Sequence, residues 1–383
     1  MKTVHVVGAG IGGLAAALAL AKRGHRLAVF EQAPELSEVG AGIQISPNGL
    51  AVLTALGVAD DLIAKSISAQ AVELRDYRNA RLVARLDLDR YAPDLTYIFA
   101  HRHDVISTLY EACKSLNVDF HFGERLVQFE GRTLEFASGL VSEADVVIGA
   151  DGLHSKLRSV VATQSEPFFT GQVAYRAVVD NVNDQGAVAM IHMAPNAHIV
   201  SYPVRDGRKL NLVMVREQDQ WIKDGWRNPV EAAEVQQHFS QFQGPIAGAL
   251  AEVQDVFEWG LFRYPVADKW HNTQAVLLGD AAHPTFPFMA QGANLALEDA
   301  WVLAECLSAY PETSEALAHF QSRRHPRVTR IVNAASKAAW KYHLASRPLR
   351  TSAHLAMSTL SKVAPRKMVS QFDWIYRHDV TKD

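Results

Sequence analysis

The spacing of apolar residues over the first 31 positions predicts a strand, a tight turn, a helix and a second strand. Residues 4–7 form a short apolar run that is typical of a buried parallel strand. Glycines follow this run, residues 11–22 have the composition of a helix, and residues 27–30 form a second buried apolar run. This order of elements predicts an α/β fold.

Further elements of the same kind are predicted along the chain. Short apolar runs at 118–122, 145–148 and 275–278 predict buried strands, and residues 293–307 predict a helix. Asp104 is a candidate N-cap for another helix. The apolar face of that helix would comprise Val105, Leu109, Ala112, Cys113 and Leu116. After residue 307 the pattern is helical with basic faces, and we expect its clustered arginines to be solvated, namely Arg323, Arg324, Arg327 and Arg330.

The pattern changes between about residues 170 and 265. Strand-like runs at 186–192, 198–203 and 210–216 are broken by turn residues such as Asp206-Gly207. This alternation predicts an antiparallel sheet. We therefore expect a nucleotide-binding α/β domain built from several segments, an inserted β-rich domain and a helical C-terminal part.

Composition and charge narrow the class of protein. Of the 383 residues 48% are hydrophobic and 21% charged, which excludes wholesale disorder. The net charge of −3 gives no electrostatic case for a nucleic-acid or membrane partner. Cys113 and Cys306 make no disulfide framework, and neither they nor His283 has the spacing of a metal site, so we expect no metal and a cytoplasmic location.

The apolar stretch at residues 4–21 has an alternative interpretation as a secretory signal or a membrane span. Its four glycines would weaken a continuous helix, and no small-residue cleavage site precedes Lys22-Arg23. We therefore favour the strand–turn–helix interpretation.

A G-x-G-x-x-G motif joins the first strand to the first helix. It comprises Gly8, Gly10, Ile11, Gly12 and Gly13. Glycines permit a tight turn and close backbone approach, and the helix N-terminus presents N–H groups to an anionic pyrophosphate. Glu31 ends the second strand, followed by Gln32, and a carboxylate there can bind ribose hydroxyls. The alternative is a glycine-rich turn beside a solvated Glu31.

Three further segments specify the dinucleotide. They read EVGAGIQISPN at 38–48, VIGADGLHSKLR at 147–158 and LLGDAAHPTFPFMAQGANLALEDA at 277–300. With the glycine motif they resemble, in the same order over essentially the whole chain, the single-component FAD-dependent aromatic hydroxylases of the para-hydroxybenzoate hydroxylase group. The resemblance is closest to salicylate hydroxylases, 3-hydroxybenzoate 6-hydroxylases and 6-hydroxynicotinate 3-monooxygenases.

The resemblance implies a Rossmann-like FAD-binding domain with a parallel sheet, an inserted antiparallel-sheet substrate domain and C-terminal helices. The implied boundaries are 1–70, 100–165 and 270–325 for the FAD-binding domain, 71–99 and 166–269 for the substrate domain, and 326–383 for the helical region. Beyond the glycine motif, Glu31 and Gln32, the implied FAD-binding residues are Gln44, Arg102, Leu126, Asp151, Gly279, Asp280, Gly292, Ala293 and Asn294. For Arg102 a surface arginine, and for Leu126 a plain core leucine, are the alternatives.

His198 and Tyr202 are the candidate catalytic residues. Residues four apart on a strand point to the same face, so both side chains can enter one pocket. The resemblance assigns this pair to substrate, where histidine suits deprotonation of a phenol and tyrosine can orient the same oxygen or a carboxylate. A half-buried strand whose polar tips bond elsewhere is the alternative. The chain departs from the similar families at Gln44, Pro287 and Phe288, which leaves the identity of the substrate open.

The implied function is hydroxylation of a small hydroxylated aromatic acid by O2, through a flavin hydroperoxide. The cofactors are FAD and NADH, with NADPH and a homodimer as further possibilities. Two other functions stay open: a flavin oxidoreductase that inserts no oxygen, and a non-enzymatic NAD-binding module.

Overall fold

We describe the fold from a computed structural model, which describes residues 1–36, 41–162, 166–221, 227–254, 256–285 and 289–383. Glu38, Pro287 and Phe288, which enter the family comparison above, lie outside the described residues. The strands are β1 (Thr3–Val7), β2 (Arg26–Glu31), β3 (Gly42–Ile45), β4 (Ile67–Ser68), β5 (Ala71–Asp76), β6 (Leu82–Asp87), β7 (Ile98–His101), β8 (Asp119–Phe122), β9 (Leu126–Glu130), β10 (Thr133–Phe136), β11 (Val141–Glu143), β12 (Val146–Gly149), β13 (Phe168–Asp180), β14 (Val188–Ala194), β15 (Ala197–Val204), β16 (Lys209–Glu217), β17 (Arg227–Val230), β18 (Val256–Arg263) and β19 (Ala275–Leu277). The helices are α1 (Ile11–Ala21), α2 (Pro47–Ala55), α3 (Ala59–Ala64), α4 (Leu88–Tyr91), α5 (Arg102–Ser115), α6 (Arg158–Val161), α7 (Ala232–His238), α8 (Pro245–Ala251), α9 (Gly292–Ala309), α10 (Thr313–Ala339), α11 (Arg347–Val363), α12 (Pro365–Ser370) and α13 (Asp373–Tyr376).

A five-stranded parallel sheet has the order β19-β12-β1-β2-β8. Its strands arise from the predicted apolar runs, and β1 is buried beneath α1, which packs against β1 and β2. Helix α1 is buried on almost every side, as expected for a helix that is apolar all round. The carboxyl ends of β1, β12 and β19 therefore lie side by side, where ligands of open α/β sheets bind.

Helix α9 packs against α1, α2 and α10. A Cβ on Gly12 in the first turn of α1 would lie 3.0 Å from the Cβ of Ala296 in α9, so the starts of the two helices lie close together. The predicted helix at 293–307 is thus confirmed with slightly wider bounds.

An eight-stranded sheet has the order β17-β18-β13-β16-β15-β14-β5-β6. The predicted antiparallel pairing holds along it except between β14 and β5, which run parallel because β5 enters from the other segment of the chain. One face packs against α7 and α8 through side chains such as Tyr175, Leu212 and Phe239. Since side chains alternate along a strand, the neighbours of those residues project from the opposite face.

The C-terminal helices α11 and α12 pack against β6. The expected domain boundaries stay a prediction. Strand β5, from segment 71–99, pairs with β14, from segment 166–269. Within the described residues, no helix is both long and apolar enough to cross a bilayer.

The predicted N-cap of α5 is wrong. The helix begins at Arg102 with His101 as its N-cap, because β7 runs directly into it, and Asp104 lies in the first turn. There its carboxylate lies 3.7 Å from Arg205, in the turn between β15 and β16. Leu116, expected on the apolar face, is 41% exposed after the helix end.

Candidate active site

The glycine motif turns β1 into α1 with little room for side chains. Gly8 has φ = +104°, and its N–H donates to the Phe30 carbonyl at 2.8 Å. A Cβ on Gly13 would overlap the carbonyl oxygen of Gly8, and one on Gly12 would lie 2.8 Å from Leu278 Cδ1. Gly10 differs, because a Cβ there meets no described atom within 4 Å. Neighbouring atoms therefore crowd the loop at Gly12 and Gly13, whereas the space beside Gly10 is open.

Glu31 ties this loop to the end of β2. Its carboxylate accepts hydrogen bonds from the N–H groups of Ala9 and Ala33, both at 2.8 Å. Gln32 follows as an exposed residue. The chain passes Glu31 again at residue 124, whose N–H donates to the Glu31 carbonyl, and Leu126 follows in the core at 4% exposure. The structure therefore places Glu31 against the loop, with Gln32 and the segment that leads to Leu126 next to Glu31.

Asp151 and Asp280 follow the adjacent strands β12 and β19. Asp151 accepts a hydrogen bond from the Lys156 N–H at 2.9 Å, while its other carboxylate oxygen is buried with no hydrogen-bond partner among the described residues. Asp280 is reached by solvent yet enclosed by protein on most sides, which places it on the wall of a cleft. Burial raises the pKa of its carboxyl group, an effect opposed by His283, Arg102 and Arg176.

The start of α9 is fixed by the side chain of Asn294. Its Oδ1 accepts from the Ser46 N–H at 3.0 Å, and its Nδ2 donates to the carbonyls of Gln44 and Ala290. The Gln44 side chain accepts from the Tyr97 hydroxyl at 2.7 Å. The side chain of Asn294 is therefore structural, and Gly292 and Ala293 can offer only backbone N–H groups of the helix start.

A buried ionic network lies directly behind this helix start. Arg324 binds Glu298 at 2.6 Å and Asp299 at 2.8 Å, and Arg327 binds Glu298 at 2.8 Å. Asn48 donates to Glu298 at 2.6 Å. The expectation that this arginine run is solvated is wrong for Arg324, which is 1% exposed, and for Arg327, because α10 packs them against two carboxylates of α9.

The same network holds the turn after β19. Asp299 accepts hydrogen bonds from His283 at 2.6 Å and from the Gly279 N–H at 3.1 Å. Burial raises the pKa of Asp299, but His283 and Arg324 outweigh it and lower that pKa to about 2. His283 thus pairs with an ionised carboxylate that positions Gly279 and Asp280.

Arg176 was not predicted, and it lies across the cleft from Asp280. On β13 it alternates with Tyr175 and Ala177, which face α7 and α8, so its side chain projects from the opposite sheet face. Arg102, Tyr202 and Asp280 lie within electrostatic range of its guanidinium group. Among the described residues this group makes no hydrogen bond, and it lies 5.9 Å from the Trp259 ring. The sequence signal was one arginine within the apolar run AYRAVV.

His198 and Tyr202 project from that same sheet face, as predicted. They are about 13 Å apart along the strand, from the usual rise per residue, and have different neighbours. Tyr202 packs beside Phe99, with ring centroids 5.2 Å apart. His198 lies beside His343 and Tyr342. We call the residues Arg176, His198 and Tyr202 the polar face, and the carboxyl ends of β1, β12 and β19 with the starts of α1 and α9 the carboxyl edge.

An open surface depression of about 830 Å³ lies elsewhere. It is lined by Met1, Lys2 and Arg23, at the amino end of β1. Because ligands of open α/β sheets bind at the carboxyl ends of the strands, this depression is not the site described above.

Comparisons with known proteins identify the class. The FAD binding domain family matches residues 1–335, and the chain belongs to this family. It is 35% identical to 3-amino-4-hydroxybenzoate 2-monooxygenase of Streptomyces cremeus over 90% of this chain and 89% of that protein. It is 33% identical to 3-hydroxybenzoate 6-hydroxylase of Polaromonas naphthalenivorans (strain CJ2), over 98% and 96% of the two chains. A salicylate hydroxylase substrate complex superposes with a TM-score of 0.81 at 23% identity, covering 100% of this chain and 96% of that one.

These findings confirm the resemblance drawn from the motifs, the fold class and the assignment as an FAD-dependent monooxygenase. The residues of the carboxyl edge fit the cofactor. Gly10 leaves open space, the first turn of α1 has no side-chain cap on its N–H groups, and a buried Asp151 oxygen lacks a partner among the described residues. A dinucleotide with a pyrophosphate and hydroxyl groups matches these features.

Proposed function

We propose that this chain hydroxylates a small aromatic acid bearing a ring hydroxyl group, with NADH as the electron donor. FAD, when bound, supplies the redox chemistry that activates O2. The names of the two relatives describe action on hydroxylated benzoates, which supports this class of substrate. The residues that would hold FAD are those of the carboxyl edge together with Glu31, Gln32, Gln44, Arg102 and Leu126.

The observation that carries the proposal is the guanidinium group of Arg176. It lies on a cleft wall without a hydrogen-bonded anion among the described residues, and the nearby Arg102 adds positive charge. Arg176 is reached by solvent from the cleft, and an arginine there can bind a carboxylate through two parallel hydrogen bonds. An aromatic acid placed against Arg176 would lie on the same face as His198 and Tyr202.

The protein's own part in the reaction is to position the ring, move a proton and exclude water. His198 would accept the proton of the ring hydroxyl, which makes the ring more electron-rich. Tyr202 lies about 13 Å along the strand from His198 and near Arg176, so it would orient the carboxylate of the acid. Burial raises the pKa of the Tyr202 phenol, although Arg176 and Asn211 oppose the effect, so Tyr202 acts as a neutral hydrogen-bonding group.

A panel of 2-, 3- and 4-hydroxybenzoate and 6-hydroxynicotinate tests the proposal. We expect at least one acid to stimulate NADH oxidation and to gain one labelled oxygen atom from ¹⁸O₂. Product without the label would instead favour an oxidoreductase that inserts no oxygen.

Arg176→Gln tests the carboxylate contact. A charge-assisted hydrogen bond contributes about 1.5–3 kcal/mol, so KM for the acid should rise by about 10- to 150-fold. The corresponding hydroxybenzamide has no negative charge, and its KM should change little. Arg208→Gln, at an exposed arginine in the turn between β15 and β16, is the control. An equal loss for acid and amide would assign Arg176 a structural role.

Three finer points belong to the same proposal. The preference for NADH over NADPH rests on the family resemblance, and equal kcat/KM values for the two nucleotides would reject it.

Burial of the free cysteines Cys113 and Cys306 supports a cytoplasmic location, to be tested by cell fractionation. The exposed apolar side chains of α11, including Leu355 and Val363, support a homodimer, and sedimentation velocity would measure its mass.

A further inference from the structure

The short helix α13 near the C-terminus brings the side chain of Tyr376 close to the carboxyl edge. The ring of Tyr376 packs edge-on against that of Tyr97, with centroids 5.8 Å apart. The Tyr97 hydroxyl donates to the side chain of Gln44 at 2.7 Å, and the Gln44 carbonyl accepts from Asn294 at the start of α9. Tyr376 is thus linked to the carboxyl edge through Tyr97.

Tyr376 also has neighbours that reach the polar face. It lies within electrostatic range of Tyr342, whose ring centroid is 5.6 Å from that of His198. Tyr97 lies within the same range of Tyr202. Tyr376 is therefore linked to one end of the polar face through Tyr342 and to the other end through Tyr97.

The backbone of α13 is held in place by Arg327. Its guanidinium group donates to the carbonyls of Trp374 at 3.0 Å and Ile375 at 3.2 Å. The same group binds Glu298 at 2.8 Å, in the ionic network behind the start of α9. Because both carbonyls directly precede Tyr376, its position is fixed relative to α9.

The hydroxyl group of Tyr376 makes no hydrogen bond to any described residue. The side chain is reached by solvent yet enclosed by protein on most sides, as Asp280 is. Burial raises the pKa of the phenol, with a smaller effect of Tyr342, so the hydroxyl stays neutral and can donate or accept. An aromatic ring that displaced water from this hydroxyl would leave it without a partner, unless the ring itself carried a polar group there.

The proposed function leaves this hydroxyl without a role, since it assigns the carboxylate of the acid to Arg176 and the reacting hydroxyl to His198. We propose that the Tyr376 hydroxyl binds a second polar substituent on the ring, so that the preferred substrates are benzoates with two hydroxyl or amino groups. The idea rests on the proposed function for the aromatic acid itself. A ring with only a C–H group at that position binds less tightly, because it leaves a buried polar group unpaired.

A purely structural role is the competing explanation, because the ring of Tyr376 packs against Tyr97 and against Phe372, both at 5.8 Å. Tyr376→Phe separates the two roles, since it keeps the ring and removes only the hydroxyl. Tyr110→Phe on α5 is the matched control. Tyr110 is half-buried, and its ring packs at 4.7 Å against Phe120 of β8, the edge strand of the parallel sheet. Both variants should retain the wild-type FAD content.

The first experiment measures ligand binding to the oxidised holoenzyme from the change in flavin absorbance. The ligands are the three monohydroxybenzoates and the six dihydroxybenzoates, which together test every placement of a second hydroxyl. At least one dihydroxybenzoate should bind the wild-type enzyme about tenfold or more tightly than its monohydroxy parents. Tyr376→Phe should raise the Kd of that ligand by about 5- to 150-fold, the range for losing the partner of a buried polar group. It should change the Kd of the parents by less than about twofold, and Tyr110→Phe should change neither.

Two results of this experiment would overturn the inference. An equal rise in Kd for the monohydroxy and dihydroxy acids in Tyr376→Phe would assign the hydroxyl a structural role. A wild-type enzyme that binds no dihydroxybenzoate more tightly than its parents would show that no second substituent is recognised.

The second experiment needs no substrate. Cys113 and Cys306 are buried, so the wild-type holoenzyme should not react with iodoacetamide, as measured by its mass. The new thiol of Tyr376→Cys should react, whereas that of Ile375→Cys, at a side chain that is 0% exposed, should not. A bound acid should slow the reaction of Tyr376→Cys.

An unreactive thiol in Tyr376→Cys, or a reaction rate that a bound acid leaves unchanged, would contradict a place on the cavity wall. If none of the nine acids binds the wild-type enzyme, the proposed substrate class is at fault. The reactivity of Tyr376→Cys then decides by itself whether this side chain faces the cleft.

Discussion

The carboxyl edge and the polar face are built from different parts of the chain. At the carboxyl edge the backbone carries the site: glycines whose Cβ atoms would overlap other main-chain atoms, N–H groups at helix starts, and turns fixed by short strands. On the polar face the sheet is a regular support, and the chemistry that we propose there belongs to single side chains such as Arg176 and His198. Backbone sites tolerate little substitution, whereas a side-chain site can change its specificity on an unchanged sheet.

This difference makes Gly13→Ala the most damaging change we expect. The new Cβ would overlap the Gly8 carbonyl oxygen. No side-chain rotation can relieve this overlap, because the backbone fixes the position of Cβ. The free energy of unfolding should fall by about 4 kcal/mol or more, the range of severe core defects. Urea denaturation of the purified protein, or its loss from the soluble fraction, measures the effect.

Gly10→Ala is the matched control at the same loop. Its Cβ meets only open space and its φ of −74° suits alanine, so the apoprotein should unfold at the wild-type urea concentration. Its affinity for FAD should nevertheless fall by about 5- to 150-fold, since overpacking costs about 1–3 kcal/mol. Unchanged FAD affinity would mean that the dinucleotide does not approach this glycine.

On the polar face, His198→Ala should leave FAD bound but lower kcat by about 10²–10⁴-fold, the usual contribution of a general base. Tyr202→Phe should cost less, about 1–3 kcal/mol for one buried hydrogen bond. Both variants should still oxidise NADH and should release more hydrogen peroxide. Assays of product, peroxide and flavin content on the same preparation separate these effects. Wild-type turnover and coupling in His198→Ala would return the histidine to a structural role.

The sequence predicted the carboxyl edge better than the polar face for a physical reason. The glycine motif, Glu31 and the following strands are local patterns, because turn geometry and strand burial are set by neighbouring residues. Arg176 lies in an apolar run, and the alternation of side chains along a strand does not indicate which face of the sheet is the polar face. His343 reaches His198 from 145 positions away, and only the packing of the C-terminal segment brings them together.

Arg324 shows the same limit at the carboxyl edge. Its composition and helical spacing match a solvated surface, yet its partners Glu298 and Asp299 lie on another helix whose orientation the sequence does not reveal. The network behind the start of α9 was therefore missed, although the start itself was predicted. What the sequence describes well is each element, and what it hides is the charge pairing between elements.

Arg324→Met tests whether this hidden pairing supports the carboxyl edge. Removing the arginine leaves two buried carboxylates with less positive charge beside them, which lowers the free energy of unfolding by about 3–5 kcal/mol. Urea denaturation should show that loss, and FAD should bind more weakly because Asp299 holds Gly279. Arg323→Met is the neighbouring control, since its partly exposed ion pair with Glu305 contributes less than about 1 kcal/mol. Equal stability of the two variants would show that the network contributes nothing.

The smallest effect we expect concerns acid stability on the eight-stranded sheet. His192 of β14 is 2% exposed, and burial, with a smaller effect of Arg75 on the paired strand, lowers the pKa of its imidazole to about 4. In the unfolded chain its pKa is about 6.5, so below that pH the unfolded state binds a proton that the folded state refuses. Above about pH 7 the neutral His192 therefore costs the folded state nothing. The free energy of unfolding falls as the pH drops from there toward 4. By linkage the loss at pH 5 is about 2 kcal/mol.

His192→Asn should shrink the difference between the unfolding free energies at pH 8 and pH 5 by that amount, and His319→Asn, at an exposed site, should leave it unchanged. If the difference persists in full in His192→Asn, other buried histidines are responsible for the acid sensitivity, and His192 of β14 is not the site that takes up the proton on unfolding.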